Sequence, residues 1–284
     1  MIKKYNVLKT WGILFLGFSL MLTACQKLDR PEMGELILDP PPPPLTLLNS
    51  KSYWHFNGNA RDTGEFRLAT TTSGVSFVQG VTEGQAAEFG SNGYIVARTL
   101  PDALKNPGSL SVAFWMNGKG PVQGGAQGLF AISHSTQFWG NFEMFLENLN
   151  NGAEAFLKIH MLNSGAADGI GENWIEVKIP NALNKWTHIA VTYNAANSQI
   201  TVYADGQPTT VNNKVLNNGA YGPLKFANAS GLVIGSFAFQ TSPSLTNHGP
   251  ESWAKSFAGA IDQLRIFTEA LTPAQVTNLY TNKL

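Results

Sequence analysis

The chain has 284 residues, in which 19 lysines and arginines balance 19 aspartates and glutamates and charged side chains make up 13%, well under the usual quarter or so. A neutral, sparsely charged chain lacks the basic footprint whose counterion release drives nucleic-acid binding, so nucleic acid is set aside as a partner. The single cysteine, Cys25, excludes a disulfide framework and a cysteine metal site and leaves the core to be held by burial. A chain of this size buries about 70% or more of the surface its unfolded form exposes, so no covalent staples are needed.

In chain order, Lys3, Lys4 and Lys9 precede an apolar run from Gly12 to Leu22, which is shorter than the about 20 residues a membrane-spanning helix requires. Leu22-Thr23-Ala24-Cys25 matches the lipobox of bacterial lipoprotein signal peptides. The match implies removal of residues 1–24 and lipidation of Cys25; the alternative is a buried core helix with a chance cysteine. Residues 25–48 read as a tether, because Gln26 to Asp39 is polar and Pro40 to Pro44 is an unbroken run that favours polyproline II and cannot join a sheet ladder. CQKLDRPE, from Cys25, loosely resembles the acidic signals that send some Gram-negative lipoproteins to the cell exterior. The expectation is a domain over residues 49–284, lipid-anchored through Cys25 to the bacterial outer membrane at the cell surface.

From Ser52 onward the pattern is strand after strand. Apolar or alternating runs occur at Tyr53–Phe56, Val75–Val78, Ala86–Phe89, Tyr94–Val96, Leu110–Met116, Leu129–Ser133, Phe142–Leu146, Phe156–Met161, Trp174–Ile179, Leu232–Ile234 and Phe257–Phe267, separated by Gly, Asn, Ser and Pro clusters. Trp186 to Gly206 reads as one complete β-hairpin, with Ile189, Val191 and Tyr193 alternating in its first strand and Asp205-Gly206 closing the second. Near the C-terminus, Thr272 as N-cap, Pro273 at the first helical position, Gln275 completing a capping box and the Leu271–Val276 staple predict a short helical turn. Many short strands with almost no helical periodicity predict an all-β, two-sheet antiparallel sandwich or jelly roll in a single domain.

Seven segments, in order, resemble the laminin G-like branch of the concanavalin A-like lectin/glucanase superfamily: YWHFNGNARD (53–62), AAEFGSNGYI (86–95), LSVAFWM (110–116), WTHIAVTY (186–193), ITVYADG (200–206), LVIG (232–235) and FAGAIDQLRIFTEALTPAQVTNLY (257–280). The resemblance implies a jelly roll that often serves as a glycan-binding or adhesive module and often holds one structural calcium; it does not by itself imply catalysis. The positions matching the calcium ligands are Asp62 and Asp262, with Asn57 as a further one. Asp62 as a turn residue and Asp262 paired with Arg265 is the alternative.

The strands just before the hairpin carry the candidate ligand surface. In FEMFLE, FLKIHM and WIEVKI each strand has an apolar face (Met144, Ile159, Ile175 and their neighbours) and a mixed face carrying Glu143, Phe145, Phe156, His160, Trp174 and Glu176. If the strands neighbour one another, the mixed faces form an aromatic-polar surface suited to sugars, whose C–H faces stack on rings while hydroxyls need fixed partners. Trp139 and Trp253 lie in loop-like stretches and join Phe145, His160, Trp174 and Glu176 as candidate ligand residues, with the sheet face and the loops both open as the contact surface. Glucanases of the superfamily carry Glu, Asp and Glu on one strand face, whereas Glu143 to Glu147 lacks the central aspartate and spans about 13 Å, beyond the about 9.5 Å limit of a glycosidase pair. The reading is a non-catalytic protein that binds a polysaccharide or glycoconjugate as an accessory to glycan-uptake system proteins, with a protein-binding adhesin or a glycan hydrolase or lyase as alternatives.

Overall fold

The alternation of apolar and polar residues resolves into fifteen strands. They are β1 (Ser52–Trp54), β2 (Thr70–Gln79), β3 (Gln85–Ala97), β4 (Leu110–Gly118), β5 (Ala126–Ile132), β6 (Phe142–Leu146), β7 (Ala155–Leu162), β8 (Glu172–Ile179), β9 (Thr187–Asn194), β10 (Gln199–Ala204), β11 (Gln207–Pro208), β12 (Lys214–Val215), β13 (Leu232–Ile234), β14 (Ala254–Ser256) and β15 (Gly259–Phe267), with short helices α1 (Asp102–Lys105) and α2 (Pro273–Thr281). The structure is a computed structural model, and it describes residues 50–149, 151–167 and 171–283. The expected signal peptide, Cys25 and the 25–48 tether lie outside the described residues. No helix among the described residues is long and apolar enough to cross a membrane.

One hydrogen-bonded path runs β11-β10-β9-β4-β15-β3-β13-β5-β6-β7-β8 and is antiparallel throughout; β14 adds to β5 in parallel. The path curls so that its two halves face each other. Phe114, Val191, Ile200 and Leu264 from one half share a single buried cluster with Phe130, Met144, Ile159 and Ile175 from the other. That is the expected two-layer jelly roll. One face of each alternating strand fills the space between the layers, which leaves the other on the outside.

The expected hairpin forms, with Val202 opposite Val191 and Ala204 opposite Ile189. Its outer face is covered by α2. Val276 and Leu279 of that helix pack with Ala113, Ala190, Tyr203 and Phe267. Thr272 Oγ1 accepts from the Gln275 amide at 3.2 Å and Gln275 Oε1 accepts from the Thr272 amide at 2.8 Å, so the predicted capping box is present. His188 is enclosed there against the rings of Trp115 (5.2 Å) and Tyr280 (6.2 Å). Burial, aided by the Arg265 and Lys283 cations, pushes its imidazole down to about 3 and keeps it neutral.

Two expectations needed correction. The runs at 86–89 and 94–96 belong to one strand, β3, because residues 90–93 bulge out opposite Gly74 where the register against β2 shifts. Gly93 serves close backbone approach there and not a turn, since a Cβ would press on the Gly74 carbonyl. The run at 257–267 begins its strand later, as β15 from Gly259, and the unexpected β14 (Ala254–Ser256) precedes it, with Phe257 turned into the core between the two.

Candidate functional site

β6, β7 and β8 are neighbours, so the three mixed faces do form one surface. The register aligns Glu143, His160 and Trp174 in one row and Phe145, Lys158 and Glu176 in the next, followed by Phe156 and Lys178. The segment between β5 and β6 lays Trp139 flat on Phe145, with ring centroids 5.4 Å apart and planes 7° from parallel. Trp174 meets Trp139 edge-on at 5.1 Å, and Trp253 approaches it at 5.9 Å from the loop before β14. Phe237 and Phe239 stack at 5.3 Å behind these rings, and Phe138 stacks on Phe239 at 4.4 Å.

Packing decides which rings face a ligand. Trp174 and Trp253 are 38% and 37% exposed, and Trp139 is half-buried between them. Phe145 is corrected from ligand contact to support, because it lies beneath Trp139 and is buried. The position of Trp253 depends on Gly125, whose backbone (φ 130°) passes so close to the Trp253 carbonyl that a Cβ would collide with it. Glu176 stands outside the aromatic group. It is ion-paired with Lys158 at 3.2 Å, and Lys158 also reaches Glu147 at 3.3 Å, so a charged strip adjoins the rings.

Beneath the rings a polar clamp fixes the Trp139 segment. The Gly140 amide donates to Glu143 Oε2 at 2.9 Å, while the Gly140 carbonyl accepts from His160 Nδ1 at 2.8 Å. Burial pushes the Glu143 carboxyl up to about 8, the Gly140 hydrogen bond opposing only part of the shift, and Oε1 has no partner among the described residues. His160 Nε2 lies 3.2 Å from Glu172 Oε1, which also accepts from Trp174 Nε1 at 3.2 Å. Both His160 partners are acceptors, so the ring serves both only when doubly protonated. Burial lowers its pKa, which disfavours that doubly protonated form. Gln137, Phe138, Trp139, His160, Leu162 and Glu172 enclose a cavity of about 280 Å³ beside Trp139.

The calcium set is divided by the structure. Asp62 Oδ1 accepts from the Tyr53 and Gly64 amides at 2.7 and 2.9 Å, and Oδ2 from Leu68 at 2.9 Å. Asp62 thus staples the 53–68 segment through three backbone donors. Asn57 and Asp262 meet one turn instead: Asn57 Oδ1 accepts from Gln85 at 2.7 Å and Asp262 Oδ2 from Val81 at 2.9 Å. Burial raises the Asp262 carboxyl to about 6, against the lowering effects of the Val81 and Gln263 hydrogen bonds and of Arg265. Asn57 and Asp262 offer oxygen donors of the kind a hard cation takes, and each already accepts from a backbone amide. Among the described residues no three His, Cys, Asp or Glu side chains converge to hold a metal.

Comparison with known proteins fixes the family. Residues 89–277, well over half the chain, match a laminin G-type model of the concanavalin A-like lectin/glucanases superfamily. The chain belongs to that superfamily. No curated protein sequence matches it. Solved structures of this concanavalin A-like fold that are similar to it include domain 4 of AbnA, an extracellular arabinanase from Geobacillus stearothermophilus, in complex with arabinotriose: 21% identity, TM-score 0.53, 82% of this chain and 98% of that one. The receptor binding domain of a botulinum neurotoxin C/D mosaic serotype is similar at 11% identity and TM-score 0.57 over 83% of this chain and 51% of that one. The binding domain of botulinum neurotoxin DC in complex with SialylT is similar at 13% identity and TM-score 0.54 over 81% and 49%. The chain spans about half the length of the toxin domains, and at these identities the likeness is one of fold.

The superfamily also contains glucanases, whose carboxylate pair Glu143 and Glu176 do not reproduce. Glu143 and Glu176 lie two strands and two residues apart, about 12 Å by sheet spacing and beyond the about 9.5 Å limit of an inverting pair. Glu143 is buried besides, out of reach of a sugar. Phe138, Phe237 and Phe239 were missed by sequence reasoning; the paired aromatics FW (138–139) and FAF (237–239), outside any strand pattern, were the available signal.

Proposed function

We propose that the protein binds a polysaccharide or glycoconjugate on the aromatic-polar face of β6, β7 and β8, without covalent chemistry. The observation that carries this is the pair of exposed indoles, Trp174 and Trp253, set around Trp139 on a hydrogen-bonded sheet. Rings held at fixed angles bind the C–H faces of sugars at little entropic cost, and the adjoining Lys158, Glu147 and Glu176 offer donors and acceptors to hydroxyls. From the Trp174 row to the Lys178 row is about 13 Å at 3.3 Å per residue, room for an oligosaccharide and not only one sugar. The arabinotriose complex of the similar arabinanase domain is consistent with such a ligand.

Lipidation of Cys25 would anchor the protein to the bacterial outer membrane, and the 25–48 tether would hold the domain at the cell surface, as an accessory that delivers captured glycan to uptake-system proteins. Calcium is proposed at Asn57 and Asp262 as a structural ion, where it would neutralise the buried carboxylate. A glycan array tests the main reading. Binding of a glycan family, quenched indole fluorescence and loss of both on Trp174→Ala are expected. No carbohydrate hit, with tight capture of a protein partner, would replace it with adhesion.

A further inference from the structure

A second concave site, sharing no residue with the aromatic face, lies where the β1–β2 connection meets the start of β2. It is a cavity of about 900 Å³, and its lining includes Asn59, Arg61, Asp62, Arg67, Thr71 and Thr72. Arg61 and Arg67 are exposed, and among the described residues neither guanidinium makes an ion pair or a side-chain hydrogen bond. The one carboxylate in the lining, Asp62, is buried and spent on three backbone amides, so it does not neutralise them. The nearby lysine, Lys51, is already paired with Glu65 at 2.6 Å. The cavity therefore presents two guanidinium groups unpaired among the described residues.

The backbone is built to hold them. Arg67 adopts φ 51°, a left-handed conformation that costs a non-glycine residue about 1 kcal/mol or more. It is pinned there from both sides, by the Phe66 amide donating to the Lys51 carbonyl at 2.6 Å and by the Leu68 amide donating to Asp62 at 2.9 Å. The Arg61 amide is in turn held by Asn59 Oδ1 at 3.0 Å. Strain kept at an exposed arginine, enforced by a buried carboxylate, is a pattern expected of a ligand-presenting loop.

We infer that this cavity binds the carboxylate of an acidic saccharide, with Arg61 and Arg67 as the anion-contacting residues. Guanidinium groups match a carboxylate in charge and in fork geometry, which makes a uronic acid unit the fitting ligand. The inference rests on the glycan-binding reading only for the sugar part of the ligand. It adds to the aromatic face a charge-selective site that a neutral glycan does not use.

The test is calorimetric titration of the protein with oligogalacturonate and, separately, with a neutral oligosaccharide chosen from the glycan array. Oligogalacturonate binding that weakens with added salt is expected, with Arg61→Gln and Arg67→Gly each lowering affinity about tenfold. Arg67→Gly should leave the melting temperature unchanged or raised, since glycine adopts φ 51° freely. Trp174→Ala should weaken neutral-glycan binding and spare oligogalacturonate. Failure of wild type to bind oligogalacturonate, affinity unchanged in both arginine variants, or equal loss in Trp174→Ala overturns the inference. Absence of any neutral-glycan binding, with arginine-dependent oligogalacturonate binding intact, would sink the aromatic-face reading alone.

Discussion

Trp174→Ala separates a ligand surface from a folding element. Trp174 is 38% exposed, so roughly three-fifths of its surface is covered, mainly by Trp139, His160 and Phe145. A tryptophan buries about 150–250 Å² when enclosed, so the covered part is about 120 Å², worth about 2–3 kcal/mol at 25 cal/mol per Å² as an upper estimate. Alanine recovers part of that, and a site open to water leaves no cavity, which points to the lower end. For a domain of this size about 2 kcal/mol lowers the melting temperature by roughly 4–8 °C with cooperativity retained. A central aromatic contact to a ligand costs about 2 kcal/mol or more when truncated, a loss of roughly 30-fold in affinity. Titration of the array-selected oligosaccharide alongside thermal unfolding reads both. Phe145→Ala is the contrast: a buried phenylalanine removed costs about 3–5 kcal/mol and should destabilise far more than Trp174→Ala. Unchanged affinity in Trp174→Ala, or a variant that no longer unfolds cooperatively, would refute the reasoning.

The buried Glu143 carboxyl holds its proton in the folded state up to about 8, against an ordinary value of 4.5, so the folded form binds more protons than the unfolded form between those values and stability falls as pH rises through them. Glu143→Gln should remove that decline, and melting curves across pH that stay parallel for both proteins would refute it. Asp62→Ala leaves three backbone amides unpaired, and at roughly 1–3 kcal/mol each it should destabilise strongly whether or not calcium is present. Calcium should raise the melting temperature of wild type and not of Asp262→Asn; a wild-type melting temperature indifferent to chelator would dispose of the ion. Gly125→Ala, by forcing the Trp253 backbone aside at a φ that disfavours alanine, should weaken glycan binding and also lower the melting temperature, which the same titration and melting pair reads.

Local signals were the legible ones. The Trp186–Gly206 hairpin, the Thr272 capping box and the mixed faces of Phe142–Leu146, Phe156–Met161 and Trp174–Ile179 all rest on spacing within a few residues, and each appears as expected. Features made by residues distant in sequence were not legible. Trp139 meets Trp253 only because β14 pairs in parallel beside β5. Phe145 carries the same alternation as Trp174, and only the loop folded across it makes one support and the other surface. Asp62 fits a metal ligand in composition, and only its three amide partners, six to nine residues away in two cases, show it to be a staple.

The strand bearing Trp174, β8, ends the hydrogen-bonded path, since among the described residues it pairs with β7 alone. A terminal strand frays more readily than a central one, so the proposed site stands on the part of the sheet whose amides should exchange with solvent first. Fraying there would scatter Trp174 and Glu176 while the helix-covered half stayed closed. A saccharide that binds only the zipped strand opposes that opening, by about 2.7 kcal/mol when its concentration is 100 times its dissociation constant. Capture and local order are thus one equilibrium, and protection of the β8 amides would report occupancy of the site.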